Sequence, residues 1–409
     1  MDTPTFSLII PAYNAADTLE RCLDSALEQS VQFTEIIVLD DGSSDDTRLL
    51  VGQYQRDYPQ VSYHYHENMG AGGTRNKGVR LATADFVAFL DADDTLSPDF
   101  VDQISCRLQE RSFDIVFFDY HIFEGEDDSG NIVQLNVTMK DRNAAFNSEI
   151  QNFLSNTGYM VCVAAYKRDF LLINDIRNGE GSYLDDQEFT VKAILCANSA
   201  AYIHQPLYNY ILRPLSITTT RTEKSIRLLT SGMLTSSKKI TMLANDYTPL
   251  ETGATYALVN HIFTGISDYY NILGTNFDER RFYINNAQEI FAIIRKTLAK
   301  NLTGFFPWLD NYYSTIDTLN EADCELLGPF VLADCLHRHY ETHVANANLI
   351  RSRDLDEINS LNQQLQQTRE YCEDLENTIR DINNSRTYRL SRRMAEIYSK
   401  IAIWRKNEE

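Results

Sequence analysis

The first hundred residues alternate four apolar runs with three stretches of helical spacing, and this alternation restricts the possible folds. The apolar runs are FSLIIPAYN, TEIIVLDDGSSDDT, VSYHYHEN and ADFVAFLDADD, each ending in polar or turn-forming residues. Between the first two runs, Leu19, Cys22, Leu23, Ala26 and Leu27 have helical spacing, and Asp17 or a neighbouring residue is the candidate cap for this helix. Strands separated by helices predict right-handed crossovers in one doubly wound, mostly parallel sheet of the α/β class.

Each predicted strand ends in residues suited to a binding site. These ends carry Pro11 to Asn14, Asp40 to Ser44, Asn68 to Gly73 and Asp91 to Asp94, and the glycine run after Asn68 is interpreted as a turn that precedes the third helix. Ligands of doubly wound sheets bind at the carboxyl ends of the strands, where the strand order switches. The four ends therefore predict one shared site.

The fourth strand runs directly into the acids Asp91, Asp93 and Asp94. Two carboxylates at alternate positions suit a hard cation, Mg²⁺ or Mn²⁺, which binds through one or two carboxylates and substrate phosphates. We expect Asp93 to be the direct metal ligand, with Asp91 beside it on the metal or on a ribose hydroxyl. Asp94 either caps the following turn or approaches an acceptor.

A diphosphate on that metal requires a nucleoside pocket at the neighbouring strand ends. Pro11 to Asn14 offer backbone groups and the Tyr13 ring, and Asp41 can accept a hydrogen bond from a base N–H. Gly70, Gly72 and Gly73 allow the backbone close to a ligand. Arg75 adds a cation near the phosphates.

Four motifs occur in this order: FSLIIPAYNAADTLERCLDSAL, EIIVLDDGSSDDT, NMGAGGTRNKGV and FVAFLDADD. With these motifs, the sequence resembles family 2 glycosyltransferases with the GT-A fold over about residues 5–220. The resemblance implies an inverting, metal-dependent hexosyltransferase-type enzyme that uses a nucleoside diphosphate sugar, most often a uridine one. It assigns donor binding to Pro11, Ala12, Tyr13, Asn14, Asp41, Gly70, Arg75, Asp91, Ala92 and Asp93, with the metal on Asp93.

The same resemblance implies where the general base lies. The segment LDDQEF is similar to the family's Glu-Asp-x-x-Phe motif, with Asp185 in place of Glu and with Asp186 and Phe189 in register. Asp186 is then the expected base, and Asp185 is the second candidate. Both acids also suit a helix start, where the dipole favours negative charge. Tyr210, Arg213 and Ser216 match the family's following segment and are expected near the donor or the acceptor.

The later sequence predicts three further regions: a helical domain at 223–352 after a transferase domain at 1–222, a coiled-coil helix at 353–384 and a basic amphipathic tail at 385–409. An a/d heptad repeat supports the coiled coil: Ile358, Leu361, Leu365, Thr368, Cys372, Leu375, Ile379 and Ile382. A helix docked on its own domain would show a similar stripe, so the repeat predicts either self-association or docking. The tail has seven basic residues against three acidic ones, which suits anionic lipid or the acidic body of the chain.

The overall charge of −21 argues against nucleic acid as a partner. The seven cysteines are widely spaced and form no CxxC pair, which favours a reducing compartment over a disulfide frame or a zinc site. The eight histidines form no metal motif and are interpreted as surface or packing residues.

No apolar run is long enough to span a membrane, and the N-terminal residues lack the basic region of a signal peptide. We therefore expect a cytoplasmic enzyme, peripheral on the inner membrane face, that extends a lipid-linked cell-surface glycan.

Two alternatives remain open at this point. The segment FLDADDT satisfies the Asp-x-Asp-x-Thr pattern of haloacid dehalogenase-type phosphatases, in which Asp91 would be the nucleophile. That pattern usually ends the first strand of its fold, whereas three predicted strands precede it here. The second alternative is a non-catalytic scaffold assembled through the coiled coil.

Overall fold

The computed structural model describes residues 3–126, 132–138, 159–180, 183–212, 222–246, 252–273, 277–297, 307–320, 327–339 and 341–342. Contacts divide the chain into two compact units, Met1–Tyr340 and Glu341–Glu409. The predicted coiled coil (353–384) and basic tail (385–409) lie outside the described residues. Residues on both sides of the predicted boundary near residue 222 belong to the first unit, so a separate helical domain stays a prediction.

Four strands and the helices between them form the first half of the sheet as predicted. The strands are β1 (Phe6–Ala12), β2 (Glu35–Asp40), β3 (Val61–Tyr65) and β4 (Phe86–Phe89). The helices are α1 (Leu19–Leu27), α2 (Thr47–Asp57), α3 (Gly70–Leu81) and, after β4, α4 (Phe100–Glu110). The pairs β1–β2, β1–β4 and β2–β3 are all parallel, which confirms the predicted parallel pairing of these strands.

Two local details differ from the prediction. Helix α1 begins at Leu19 with Thr18 as its N-cap residue, and no side chain caps it, so Asp17 is not the cap. The glycine run is not a turn before α3, because Gly70 is the first residue of that helix. Gly70 itself has a φ of 81°, a left-handed backbone that glycine adopts without steric cost.

The second half of the sheet is antiparallel where it joins the first. Its strands are β5 (Thr95–Leu96), β6 (Ile115–Glu126), β7 (Ile132–Thr138), β8 (Ala164–Lys167) and β9 (Ala200–Ile211). The order is β3-β2-β1-β4-β8-β6-β9-β5, with β7 beside β6. β8 is antiparallel to both β4 and β6, and β6 is parallel to β9. The sheet is therefore mixed, and the prediction of a mostly parallel sheet holds for β1–β4 and for the β6–β9 pair.

Two helices cover this half and more follow it. Helix α5 (Arg168–Ile173) follows β8, and α6 (Asp185–Cys196) precedes β9. Then come α7 (Glu223–Asp246), α8 (Thr252–Ile272), α9 (Phe277–Lys296) and α10 (Pro307–Ile316), and residues 327–339 are also helical. The predicted helical character beyond Lys224 is confirmed where the chain is described. In those parts, no helix combines the length and apolarity needed to cross a membrane.

Large aromatic side chains anchor the sheet to its helices. Phe89 of β4 packs edge-on against Phe189 of α6, with ring centroids 5.9 Å apart, and Tyr166 of β8 packs against the same ring at 5.1 Å. All three side chains are almost completely buried. Helix α6 is therefore fixed directly above β4, the strand that carries the acidic residues.

Candidate functional site

The loops that follow β1 and β2 are bonded to each other. The Asp41 N–H donates to the Ala12 carbonyl at 2.8 Å, and the Asn14 N–H donates to Ser43 Oγ at 2.9 Å. In return, Asn14 Oδ1 accepts from the Ser44 N–H at 2.9 Å. β1 lies between β2 and β4, and the chain reverses its direction of winding there. This is the position where doubly wound sheets bind ligands.

Asp41 ties the second loop to the start of α3. Its Oδ1 accepts from the Met69 N–H at 2.7 Å, and its Oδ2 accepts from the Gly70 N–H at 3.0 Å. Asn68 Nδ2 also donates to the Asp41 carbonyl at 3.0 Å. The side chain is 6% exposed. Asp41 therefore caps α3 and explains why the helix begins at the glycine run; a carboxylate with two such bonds retains lone pairs for a ligand.

His66 lies against Asp41, a position that the sequence analysis did not assign to the site. Its Nδ1 is 3.4 Å from Asp41 Oδ1 and 2.9 Å from the Glu67 carbonyl oxygen, and its side chain is 8% exposed. Both neighbours of Nδ1 are acceptors, an arrangement that favours the tautomer with the proton on Nδ1. The sequence signal for His66 is its place two residues before Asn68, in the loop after β3.

The acidic loop, Asp91–Asp94, is held from two sides. Arg75 Nη2 donates to Asp91 Oδ1 at 2.6 Å, with the arginine side chain 9% exposed and the Asp91 side chain 31% exposed. From α1, Arg21 Nη2 donates to the Asp93 carbonyl at 3.1 Å, and Cys22 Sγ lies 3.6 Å from the Asp91 carbonyl. Arg75 thus joins α3 to the loop, so the third and fourth strand ends meet as predicted.

Asp94 points away from this face into the protein. Tyr208 Oη donates to Asp94 Oδ2 at 2.5 Å, and the Ile211 N–H donates to Oδ1 at 2.7 Å. The Tyr208 hydroxyl also accepts from the Asp91 N–H at 3.3 Å. Burial raises the pKa of Asp94 well above its usual value, and the charges of Asp93 and Asp91 raise it further. Tyr208 was not predicted; its only sequence signal is its place on the same strand as Tyr210.

The two base candidates open helix α6. Asp185 is the first residue of this helix and Asp186 the second, which also fits the helix-start interpretation. The preceding residue, Leu184, has a φ of 63°, which is left-handed. Buried Tyr166 lies beneath: burial raises its pKa, Asp186 raises it further, and Arg75 lowers it. Asp186 and Arg75 thus lie near enough to the same buried phenol to shift its pKa in opposite directions.

The remaining predicted residues differ in accessibility. Tyr13 is 56% exposed, Asn14 is exposed with a φ of 47°, and Pro11 is half-buried. Ala12 and Ala92 are buried, and Tyr210 is half-buried on β9. Arg213 and Ser216 lie outside the described residues.

The side chains available for a metal are Asp93, which is half-buried, and Asp91. Within the described ranges, no group of three or more His, Cys, Asp or Glu side chains could hold a metal ion. Asp94 is committed to Tyr208 and Ile211. The donor set fits Mg²⁺ or Mn²⁺ only if a ligand such as a diphosphate supplies further oxygens.

Comparison with known proteins finds similarity over the first part of the chain. The family model described as glycosyl transferase family 2 matches residues 7–171. The uncharacterized glycosyltransferase YibD of Escherichia coli (strain K12) is 30% identical over 220 residues, which is 53% of this chain and 63% of YibD. The chain thus spans less than two thirds of that relative.

Two further similarities concern a shorter segment and the fold. The GalNAc(5)-diNAcBac-PP-undecaprenol beta-1,3-glucosyltransferase of Campylobacter jejuni is 40% identical over 95 residues, which is 23% of this chain and 31% of that protein. The crystal structure of S. aureus TarS 1-349 in complex with UDP-GlcNAc has a TM-score of 0.59 at 20% identity, and covers 84% of this chain and 92% of that one. At this identity the likeness concerns the fold, which is GT-A-like.

The phosphatase alternative gains no support from these findings. The acidic motif ends the fourth strand, and the Asp91 carboxylate, which would be the nucleophile, is paired with Arg75 at 2.6 Å. The matched family is a glycosyltransferase family.

Proposed function

We propose that the chain, whose residues 7–171 match the family model described as glycosyl transferase family 2, is an inverting glycosyltransferase. It moves a sugar from a UDP-sugar to a hydroxyl of a glycan acceptor. The observation that carries the proposal is the joining of four strand ends at one edge of the sheet. Asp41 binds the start of α3, and Arg75 of α3 binds Asp91 of the acidic loop. One ligand can therefore contact all four.

The nucleoside end of the donor fits the loops after β1 and β2. The Tyr13 ring is exposed and offers a stacking surface, and Asp41 offers carboxylate oxygens to a base N–H. Pro11, Ala12, Asn14 and Gly70 supply the surrounding backbone. The UDP-GlcNAc named for TarS is a donor of this class.

The diphosphate end fits the acidic loop and Arg75. Asp93 would hold Mg²⁺ or Mn²⁺, with Asp91 beside it, because two carboxylates and phosphate oxygens form a suitable ligand set. When bound, the cation would neutralise charge on the departing diphosphate. The Arg75 guanidinium adds a fixed positive charge close by, and its ion pair with Asp91 keeps that charge oriented.

Asp186 is the proposed general base. It would take the proton from the acceptor hydroxyl as that oxygen bonds to the anomeric carbon. The bond from this carbon to the diphosphate oxygen breaks at the same time, and UDP leaves with the electron pair. Attack from the face opposite to UDP inverts the anomeric configuration. Asp185, Tyr210, Arg213 and Ser216 are candidates for acceptor or donor contacts.

The proposed acceptor is a lipid-linked glycan of cell-surface polysaccharide biosynthesis. The relative from Campylobacter jejuni is named for an undecaprenol-linked substrate. Such an acceptor would require the enzyme at the inner face of the membrane, as a cytoplasmic protein with peripheral attachment through its basic tail.

Release of UDP from a panel of UDP-sugars, with and without Mn²⁺ or Mg²⁺, tests the proposal. We expect metal-dependent release with at least one donor. Asp186→Asn should lower turnover by about 10²- to 10⁴-fold while UDP binding persists. Asp169→Asn is the matched control, because Asp169 is exposed in the first turn of α5 and should leave turnover unchanged.

The outcomes separate the parts of the proposal. Absence of release with every UDP-sugar would contradict the assigned donor class. A large loss in Asp185→Asn together with normal turnover in Asp186→Asn would move the base to Asp185. Full activity in both variants would favour a different base altogether.

A further inference from the structure

The backbone that leads into the base helix is strained. We call residues Tyr183–Asp186 the base turn. Leu184, its second residue, has a φ of 63°, and no side-chain hydrogen bond caps α6 there. A left-handed conformation is sterically unfavourable for a residue other than glycine. Such a conformation persists only where the surrounding structure holds it.

Helix α7 approaches this turn at backbone distance. Gly232 of α7 is buried, and a Cβ added there would lie 2.6 Å from the Tyr183 carbonyl oxygen and 3.0 Å from the Tyr183 carbonyl carbon. Real Cβ atoms do not make such contacts with oxygen. Only glycine therefore lets α7 pack this closely against the base turn.

The same face of α7 continues along α6. Ser236 Oγ donates to Gln187 Oε1 at 3.0 Å, and Lys239 Nζ donates to Glu188 Oε2 at 2.9 Å. Residues 232, 236 and 239 are spaced by four and three, which places them on one face of a helix. The two residues they bond directly follow Asp186.

The segment before the base turn is hydrogen-bonded to α3, the helix that carries Arg75 of the proposed donor site. Asn76 of α3 donates through Nδ2 to the Asn178 carbonyl at 3.0 Å and accepts from the Asn178 N–H at 2.8 Å. Asn76 is 4% exposed and follows Arg75, which binds Asp91. Helix α3, which carries a proposed donor residue, therefore holds Asn178, five residues before the base turn, and α7 contacts the base turn itself.

We propose that this face of α7, Gly232, Ser236 and Lys239, positions Asp186 for proton transfer. The inference rests on the proposed function and extends it: the helical region after residue 222 is a part of the catalytic apparatus. These three residues are positioning residues, since they contact the base turn and α6 and not the substrate. They affect the reaction through the location of the Asp186 carboxylate.

Gly232→Ala is the first test, in the full chain, with UDP release at saturating donor and metal as the readout. We expect kcat to fall at least 10-fold while donor KM and UDP affinity stay within about twofold, because displacement of a reacting group by about 1 Å can cost about 100-fold in rate. Gly52→Ala is the matched control: Gly52 is also in a helix, and an added Cβ there meets nothing within 4 Å.

Two further variants guard against misfolding of Gly232→Ala. Ser236→Ala and Lys239→Met remove the bonds to Gln187 and Glu188 without adding volume at the turn. Each should lower kcat about 2- to 10-fold with UDP binding intact, and Lys239→Arg should restore most of the loss because it keeps the charge.

The possible results are distinguishable. Normal kcat in Ser236→Ala and Lys239→Met, in an active wild type, would overturn the positioning role. So would a parallel loss of kcat, UDP affinity and thermal stability in the variants, since that pattern is expected of general destabilisation. A wild type without UDP release from any donor would count against the proposed function itself.

Discussion

At the scale of single residues, the acidic loop separates into two roles. Asp91 and Asp93 remain partly accessible, whereas Asp94 is 1% exposed and accepts from Tyr208 and Ile211. The Tyr208 hydroxyl also accepts the Asp91 N–H. One buried hydroxyl therefore connects the loop to β9. The cost of burying Asp94 is offset by these bonds, since a buried carboxylate without partners is strongly unfavourable.

Removal of that hydroxyl should be costly. Tyr208→Phe leaves a buried carboxylate oxygen and the Asp91 N–H each short of one partner. We expect the free energy of unfolding, measured with urea, to fall by about 1–3 kcal/mol. Tyr58→Phe, in which the altered ring is 40% exposed, should change it by less than about 0.5 kcal/mol. Equal effects of the two substitutions would contradict the bridging role of Tyr208.

At the scale of elements, one carboxylate joins β1, β2 and the segment before β4 at the edge opposite the site. Glu35 Oε1 accepts from Ser7 Oγ at 2.6 Å, from the Thr83 N–H at 2.6 Å and from Thr83 Oγ1 at 2.9 Å. Burial alone would raise the pKa of Glu35, but the hydrogen bonds from Ser7, Thr83 and Ala84 outweigh it and lower the pKa. The ionised form is therefore favoured in the folded state.

This lowered pKa predicts a pH-dependent stability. The contribution of Glu35 is fully present above its unfolded pKa of about 4.5 and is lost as the pH falls through the lower folded value. Glu35→Gln should reduce the free energy of unfolding at pH 7 by about 1–2 kcal/mol, a figure that allows for partial solvent screening. The difference from wild type should shrink on acidification below about pH 4.5.

Urea unfolding of both proteins across this pH range checks the expectation. Glu28→Gln is the control, because Glu28 is exposed at the end of α1. If the difference in unfolding free energy between wild type and Glu35→Gln stays constant down to strongly acidic pH, Glu35 is not the source of this pH dependence.

At the scale of the whole molecule, the chain divides into the compact units Met1–Tyr340 and Glu341–Glu409. The residues proposed for donor binding and catalysis belong to the first unit. The second includes the heptad repeat and the basic tail, within a chain of net charge −21. The predicted assembly and the proposed membrane attachment therefore concern a different unit from the proposed chemistry.

Removal of residues 353–409 should reduce the number of chains per particle in solution, because it removes the heptad repeat. It should also weaken retention on vesicles with anionic lipid, because it removes the basic tail. UDP release from a soluble donor should not change. Light scattering and vesicle sedimentation measure the two properties. The double substitution Leu361→Asp and Leu365→Asp keeps the tail and should reduce only the number of chains per particle, with vesicle retention unchanged. If the truncation alters neither property, both roles of the second unit are wrong.

The elements of the first half and the position of the acidic loop could be predicted because their signals are local. Apolar runs, helical spacing and turn residues identify β1–β4 within a few residues of their observed ends. Local patterns indicate a turn at the glycine run, because the residue that caps the helix there, Asp41, lies 29 residues before Gly70 in the sequence. The antiparallel pairing of β8 with β4 was missed for the same reason.

The amino-acid sequence by itself determined the α/β alternation, the polar strand ends and the candidates for metal and base. Only the tertiary structure decided that Asp94 turns inward to Tyr208, 114 residues later. It likewise decided that Gly232 of α7 meets the turn before Asp186. The physical reason is that periodicity and turn chemistry depend on neighbours along the chain, whereas hydrogen bonds and close packing depend on neighbours in space, which only the folded sheet and helices bring together.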